Sequence, residues 1–142
     1  MGNIIAFMTN SIFSKIIARE VPAHFIYEDD ICVAILDKFP TVSGQSLVIP
    51  KKELDYAFDL DDETYLHLFT VAKKIARASD LALQTARTCL VVEGFEVPHT
   101  HIKLYPMPKD NHDLGSLLSG GKMADDETLA AIAEKIKSTL AF

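Results

Sequence analysis

Disulfides cannot organise this chain. Its 142 residues hold only two cysteines, Cys32 and Cys89, far apart and outside any C-x-x-C pattern, which is the usage of a reducing compartment rather than of a cross-linked scaffold. No apolar run approaches the roughly 20 residues that a bilayer-spanning helix needs. The short apolar patch Ile4 to Met8 has no basic segment before it and is too short for a secretory core. The chain opens Met-Gly, but Ala6 stands where N-myristoylation wants Ser or Thr. These absences point to a cytoplasmic protein without a membrane partner. Cationic excess is also lacking. With 14 Lys and Arg against 20 Asp and Glu, the net charge is -6, which disfavours a nucleic-acid backbone as partner. A small anionic ligand stays open, because a local cationic site can sit in an acidic protein. Internal repeats and low-complexity tracts are missing too.

What is present is the material of one ordinary domain, 49% hydrophobic and able to bury a core. Ser11 can cap a short helix with Ile12, Phe13, Ile16 and Ile17 on its apolar side, ended by Val21-Pro22. Phe25 to Glu28 and Ile31 to Leu36 read as a hairpin around Asp29-Asp30, and Ser46 to Ile49 as a third strand stopped by Pro50. Asp59, Asp61 and Asp62 crowd the start of a long helix, where the dipole favours anions. Its inner face carries Tyr65, Leu68, Phe69, Ala72, Ile75, Ala76 and Ser79. Thr88 to Val92 and His99 to Tyr105 give two more strands, and Pro106 and Pro108 close the strand region. Residues 109–123 are polar and Gly-rich and read as a linker or mobile loop. Asp125 then caps a last helix. Short connections favour a meander-like antiparallel sheet with helices packed on it, an α+β domain.

The sharpest local feature is Val-Pro-His-Thr-His-Ile-Lys-Leu at 97–104. In a strand, positions i and i+2 share a face, so His99, His101 and Lys103 line one side. Three nitrogen side chains together suit a phosphate: an imidazole can attack phosphorus while a cation holds the oxygens. Spacing alone leaves open a pair of strand histidines without chemistry. A metal site would need further ligands, and His24, His67 and His112 lie in unrelated segments.

The segments Ser11 to Ala23, Tyr-Glu-Asp-Asp at 27–30, Leu-Asp at 36–37, Gly-Gln-Ser-Leu-Val-Ile-Pro-Lys at 44–51 and the histidine run at 97–104 occur in the order of the histidine triad (HIT) proteins. The chain resembles that family over roughly residues 11–108, between a tail at 1–10 and an extension at 109–142, and is most similar to its small Hint-like branch. The resemblance implies a five-stranded antiparallel sheet with packed helices, joined into a homodimer with a continuous ten-stranded sheet. It implies hydrolysis or transfer at the α-phosphate of a purine nucleotide, such as AMP linked to an amine, through a covalent nucleotidyl-histidine. His101 matches the nucleophile and His99 the first, supporting histidine. Asp37 matches the acidic residue that takes the ribose hydroxyls; its other reading is a turn carboxylate closing the strand before Lys38-Phe39-Pro40. Phe13, Ile16 and Leu36 match the walls of the base pocket, where they would also serve as core. No cofactor is implied.

Three positions depart from the family pattern. Lys103 replaces the third histidine; a lysine contacts phosphate as a point charge and disfavours protonation of a neighbouring imidazole, so activity is expected to be retained but altered. Glu93 stands in the loop before the motif, where relatives carry asparagine. A carboxylate facing a phosphate is unfavourable, so either Glu93 pairs with Lys103 or the substrate presents a cation there. Finally, relatives that hold structural zinc do so at positions that are Ser11, Ser14, Glu53 and His99 here, so no metal is expected. Two other activities are compatible with the residues. One is a nucleotide-binding interaction protein with weak catalysis. The other is a dinucleoside polyphosphate hydrolase, with Lys109 or Lys122 holding the leaving nucleotide.

Overall fold

The computed structural model describes residues 10–141; the Ile4–Met8 patch and the initial Met-Gly lie outside them. Five strands, β1 (Phe25–Glu28), β2 (Cys32–Leu36), β3 (Ser46–Pro50), β4 (Arg87–Val91) and β5 (Ile102–Met107), form one sheet in the order β1-β2-β3-β5-β4. Every pairing is antiparallel. The sheet departs from a plain meander because β5 inserts between β3 and β4. The long helix α2 (Asp62–Leu83) carries the chain from β3 across to the far edge. Among the described residues the other α-helices are α1 (Ile12–Ile17) and α3 (Asp126–Thr139).

Both faces of the sheet are covered, which explains why β2 and β3 are buried at every position instead of alternating. Ala34, Leu36, Val48, Ile102 and Leu104 face α2 and α3 in the larger core. Val33, Ile35, Leu47 and Ile49 face α1 and its Phe13 and Ile16. α3 belongs to the larger core through Leu129, Ala133 and Ile136. Ser11 and Asp125 cap their helices as expected, and of the three carboxylates at the start of α2 it is Asp61 that caps it; each accepts the backbone N–H three residues on. The buried stripe of α2 also takes in Val71 and Ala78, while Tyr65, Phe69 and Ala76 sit at its margin.

Two expectations for the last strand are corrected. It begins at Ile102, not His99, because the amides before it bond elsewhere: His99 N–H donates to Val97 C=O at 2.8 Å and Thr100 N–H to Leu54 C=O at 2.7 Å. It also runs through Pro106 to Met107, with Pro106 opposite Thr88. Pro50 likewise closes β3 from within, paired with Cys32.

The β1–β2 turn is tied to α2 through Asp29. Its carboxylate accepts from Tyr27 Oη (2.8 Å), His67 Nε2 (2.6 Å) and the N–H groups of Ile31 and Cys32 (2.8 Å each). Burial opposes ionisation of Asp29, but these four donors outweigh it and hold the carboxyl well below its ordinary range. A depressed carboxylate pKa stabilises the fold above the unfolded value, and that contribution fades as pH falls towards the folded value. Asp29→Asn is therefore expected to cost about 2 kcal/mol in urea unfolding at pH 7. Its deficit against the parent should shrink as pH drops below about 4.

Candidate active site

On the α1 face of the sheet, a cavity of about 1000 Å³ is lined by Phe13, Ile16, Leu36, Asp37, His101 and Lys103, together with Gln45, Tyr105, Glu96 and part of the segment before α3. Strand alternation accounts for one wall: Lys103 lies opposite Leu47 on β3, and Tyr105 follows two residues on. Leu36 borders the cavity while packing into the larger core on the far face.

His99 does not line this cavity. It is fully buried behind it and tethered at both ring nitrogens. Nε2 lies 2.8 Å from the Pro50 carbonyl, which can only accept, so Nε2 carries the proton. Nδ1 then accepts from Ser11 Oγ at 2.6 Å. Ser11 is the cap of α1, and its Oγ also accepts Ser14 N–H. Glu53 Oε1 takes Ser11 N–H at 2.9 Å and Ser14 Oγ–H at 2.6 Å. The four positions Ser11, Ser14, Glu53 and His99 thus meet, and they bond to one another. Burial lowers the His99 pKa, against the opposing pull of Pro50 and Glu53.

The carbonyl of His99 in turn accepts Nδ1–H of His101 at 2.8 Å. That bond fixes the His101 tautomer and leaves Nε2 without a hydrogen bond among the described residues. Phe13 packs edge-on against both rings, with centroids 5.8 Å from His99 and 4.8 Å from His101. Burial pushes the His101 pKa down, the bond to His99 opposes it, and the Lys103 charge lowers it further. His101 is therefore a neutral imidazole with its lone pair on Nε2.

Lys103 Nζ lies 2.9 Å from Glu93 Oε1. Burial disfavours the ammonium, but the pair with Glu93 more than restores it. Of the two arrangements open to Glu93, the pair with Lys103 is the one present, and Glu93 reaches the cavity only through that lysine. Asp37 serves as a turn carboxylate and faces the cavity as well. Its Oδ1 accepts Phe39 N–H at 2.8 Å and its Oδ2 accepts Gln45 Nε2–H at 2.9 Å, so each oxygen keeps acceptor capacity. Lys109 and Lys122 do not line the cavity. Sequence reasoning missed Tyr105, although alternation from His101 and Lys103 reaches it. It also missed Gln45 and the segment around Leu117 to Gly121, for which no local pattern gives a signal.

The family model for the HIT domain matches residues 18–111. Among curated proteins, Protein hit from Bacillus subtilis is 32% identical over 140 residues, covering 93% of this chain and 95% of that protein. Among solved structures, a Hit-like protein involved in cell-cycle regulation from Bartonella henselae superposes with a TM-score of 0.82 at 30% identity, covering 92% of this chain and 96% of that one. A hypothetical histidine triad nucleotide-binding protein from Sulfolobus tokodaii superposes at 0.79 and 28% identity, with 89% of each chain covered.

The electrostatics of His101 are open to direct test. Its midpoint, followed by imidazole NMR, is expected below the ordinary value of about 6.5. Lys103→Gln should move it upward, because a neighbouring cation is removed.

Proposed function

The chain belongs to the HIT domain family, and we propose that it is a nucleotide hydrolase or transferase working at the α-phosphate of a purine nucleotide. One observation carries this reading: Nδ1–H of His101 is held by the His99 carbonyl, while the same ring borders a cavity large enough for a nucleoside phosphate.

In this mechanism Nε2 of His101 attacks the α-phosphorus, the bond from phosphorus to the leaving group breaks, and the leaving group departs with the bonding pair and takes up a proton from solvent. The His99 carbonyl accepts from the Nδ1–H of a ring that gains positive character, and so stabilises it. Water then attacks the nucleotidyl-histidine, releases the nucleotide and restores the neutral imidazole, replacing one difficult displacement with two easier ones. Asp37 takes the ribose hydroxyls on its free lone pairs. Phe13, Ile16 and Leu36 wall the base. Lys103 stands in place of the family's third histidine and holds phosphate oxygens as a point charge, with Glu93 setting its position.

No metal enters the mechanism. The cluster of Ser11, Ser14, Glu53 and His99 offers two hydroxyls, a carboxylate and one imidazole nitrogen, already paired with one another. Zinc prefers thiolate and free imidazole donors in a closed tetrahedron, and this set does not fit it.

Intact-protein mass spectrometry after mixing with an adenosine phosphoramidate, in parallel with steady-state AMP release, tests the reading. A transient AMP adduct with turnover is expected, both lost in His101→Ala. The Lys103–Glu93 pair favours a second reading, a nucleotide-binding interaction protein with little catalysis, because the lysine is already paired with a carboxylate before any phosphate arrives. Under that reading AMP binds, no adduct forms, and Lys103→His raises turnover sharply.

A homodimer joined at β4 completes the proposal. This strand is one edge of the sheet, and exposed Leu90, Val92 and Phe95 lie on and beside it, Phe95 with 93% of its surface open. An unpaired apolar edge is a template for pairing with another chain. Sedimentation is expected to give twice the 15.7 kDa of the chain, falling to the single mass in Leu90→Arg.

A further inference from the structure

We infer that the segment 114–126 of the same chain is a fixed wall of the nucleobase end of this cavity, and that Gln45 and Thr41 couple that wall to the ribose-binding carboxylate. The inference rests on the nucleotide reading above and adds residues outside the histidine motif.

Leu117, Leu118, Gly120, Gly121 and, from α3, Leu129 line the same cavity as Phe13 and Ile16. The segment is tied down four times, each time to the loop that follows Asp37. Thr41 Oγ1–H donates to the Leu117 carbonyl at 2.6 Å. Ala124 N–H donates to the Lys38 carbonyl at 2.9 Å. Lys38 Nζ donates to Asp126 at 2.8 Å. The fourth tie is steric: a Cβ built on Gly121 would stand 2.0 Å from the Phe39 carbonyl oxygen. Backbone cannot yield to that contact as a flexible side chain would, so only glycine lets the two strands of loop lie against each other.

The same loop is held from the other side by Asp37. Gln45, buried to 4% exposure, spans the two. Its Nε2–H donates to Asp37 Oδ2 and its Oε1 accepts Thr41 N–H at 2.8 Å. Thr41 has one hydroxyl proton and two acceptors within reach. The Leu117 carbonyl at 2.6 Å takes it in preference to Gln45 Oε1 at 3.1 Å. A continuous line therefore runs from Asp37 through Gln45 and Thr41 to Leu117. Gln45 and Thr41 are positioning residues: they touch the carboxylate and the wall, not the reacting phosphate. A wall placed by a fixed latch sets the depth of the base pocket, so it discriminates between a large purine and a smaller pyrimidine, whereas His101 sets the rate of the chemistry.

The test uses the full chain, with AMP and CMP as titrants in calorimetry, an adenosine phosphoramidate for kinetics, and hydrogen exchange of the 114–124 amides without ligand. Gly121→Ala and Thr41→Val should speed that exchange and weaken AMP about tenfold. CMP binding should change much less, so that base selectivity flattens. KM should rise while kcat stays within about twofold, since nothing at His101 is altered. Thr41→Ser keeps the hydroxyl and should match the parent. Gln45→Leu removes the bonds to Asp37 and to Thr41 together and should erase the preference for AMP over 2′-deoxy-AMP. Faster exchange with unchanged AMP affinity and unchanged base selectivity would overturn the inference while leaving the nucleotide reading intact. A parent protein that binds none of these nucleotides would overturn that reading itself.

Discussion

The site depends on a histidine that makes no contact with the cavity. His99 is buried and bonded at both nitrogens, to the cap of α1 and to the carbonyl that ends β3. That double tether fixes the position of its own backbone carbonyl, and the carbonyl fixes the ring of His101. A buried imidazole left half-satisfied would be costly; satisfied, it is rigid. The orientation of the candidate nucleophile is therefore set by three separate pieces of chain: a helix cap, a strand end and the loop at residues 94–101. It does not come from the regular geometry of β5, which starts one residue after His101.

Unequal cover of the two faces of the sheet makes this division of labour possible. The α2 and α3 face is closed and apolar and provides most of the core. The α1 face is covered only in part, since a helix of six residues cannot span it. The uncovered remainder is the cavity. Its polar groups, His101, Lys103, Asp37 and Gln45, sit on or beside strands whose opposite faces are firmly packed. Functional groups carried on a rigid sheet keep their geometry better than groups on loops alone.

Much of this was legible in the chain. The caps Ser11 and Asp125, the acidic start of α2, the strands of the hairpin and the α+β class follow from local chemistry and periodicity. Lys103 faces the cavity by alternation along β5, whereas His101 precedes that strand and is set by its bond to the His99 carbonyl. The face of His99 did not follow. Alternation places it beside His101 only if the strand extends that far, and the amides of residues 99 and 100 instead bond to Val97 and Leu54. Pro106 was misread for a related reason. Proline lacks an amide donor, which usually ends a strand, yet it is tolerated where its position in the ladder needs none.

By itself the sequence determined which residues could do chemistry and which elements carry them, because caps, alternation and helical spacing act between residues a few positions apart. Only the tertiary structure decided what meets across the fold. Ser11 finds His99 over 88 positions, and Thr41 finds Leu117 over 76. Lys103 spends its charge on Glu93. Hydrogen bonds and ion pairs of this kind leave no periodic trace in the chain, since either partner alone is an ordinary polar residue. They exist only once the sheet and the helices packed on it have brought the partners within 3 Å.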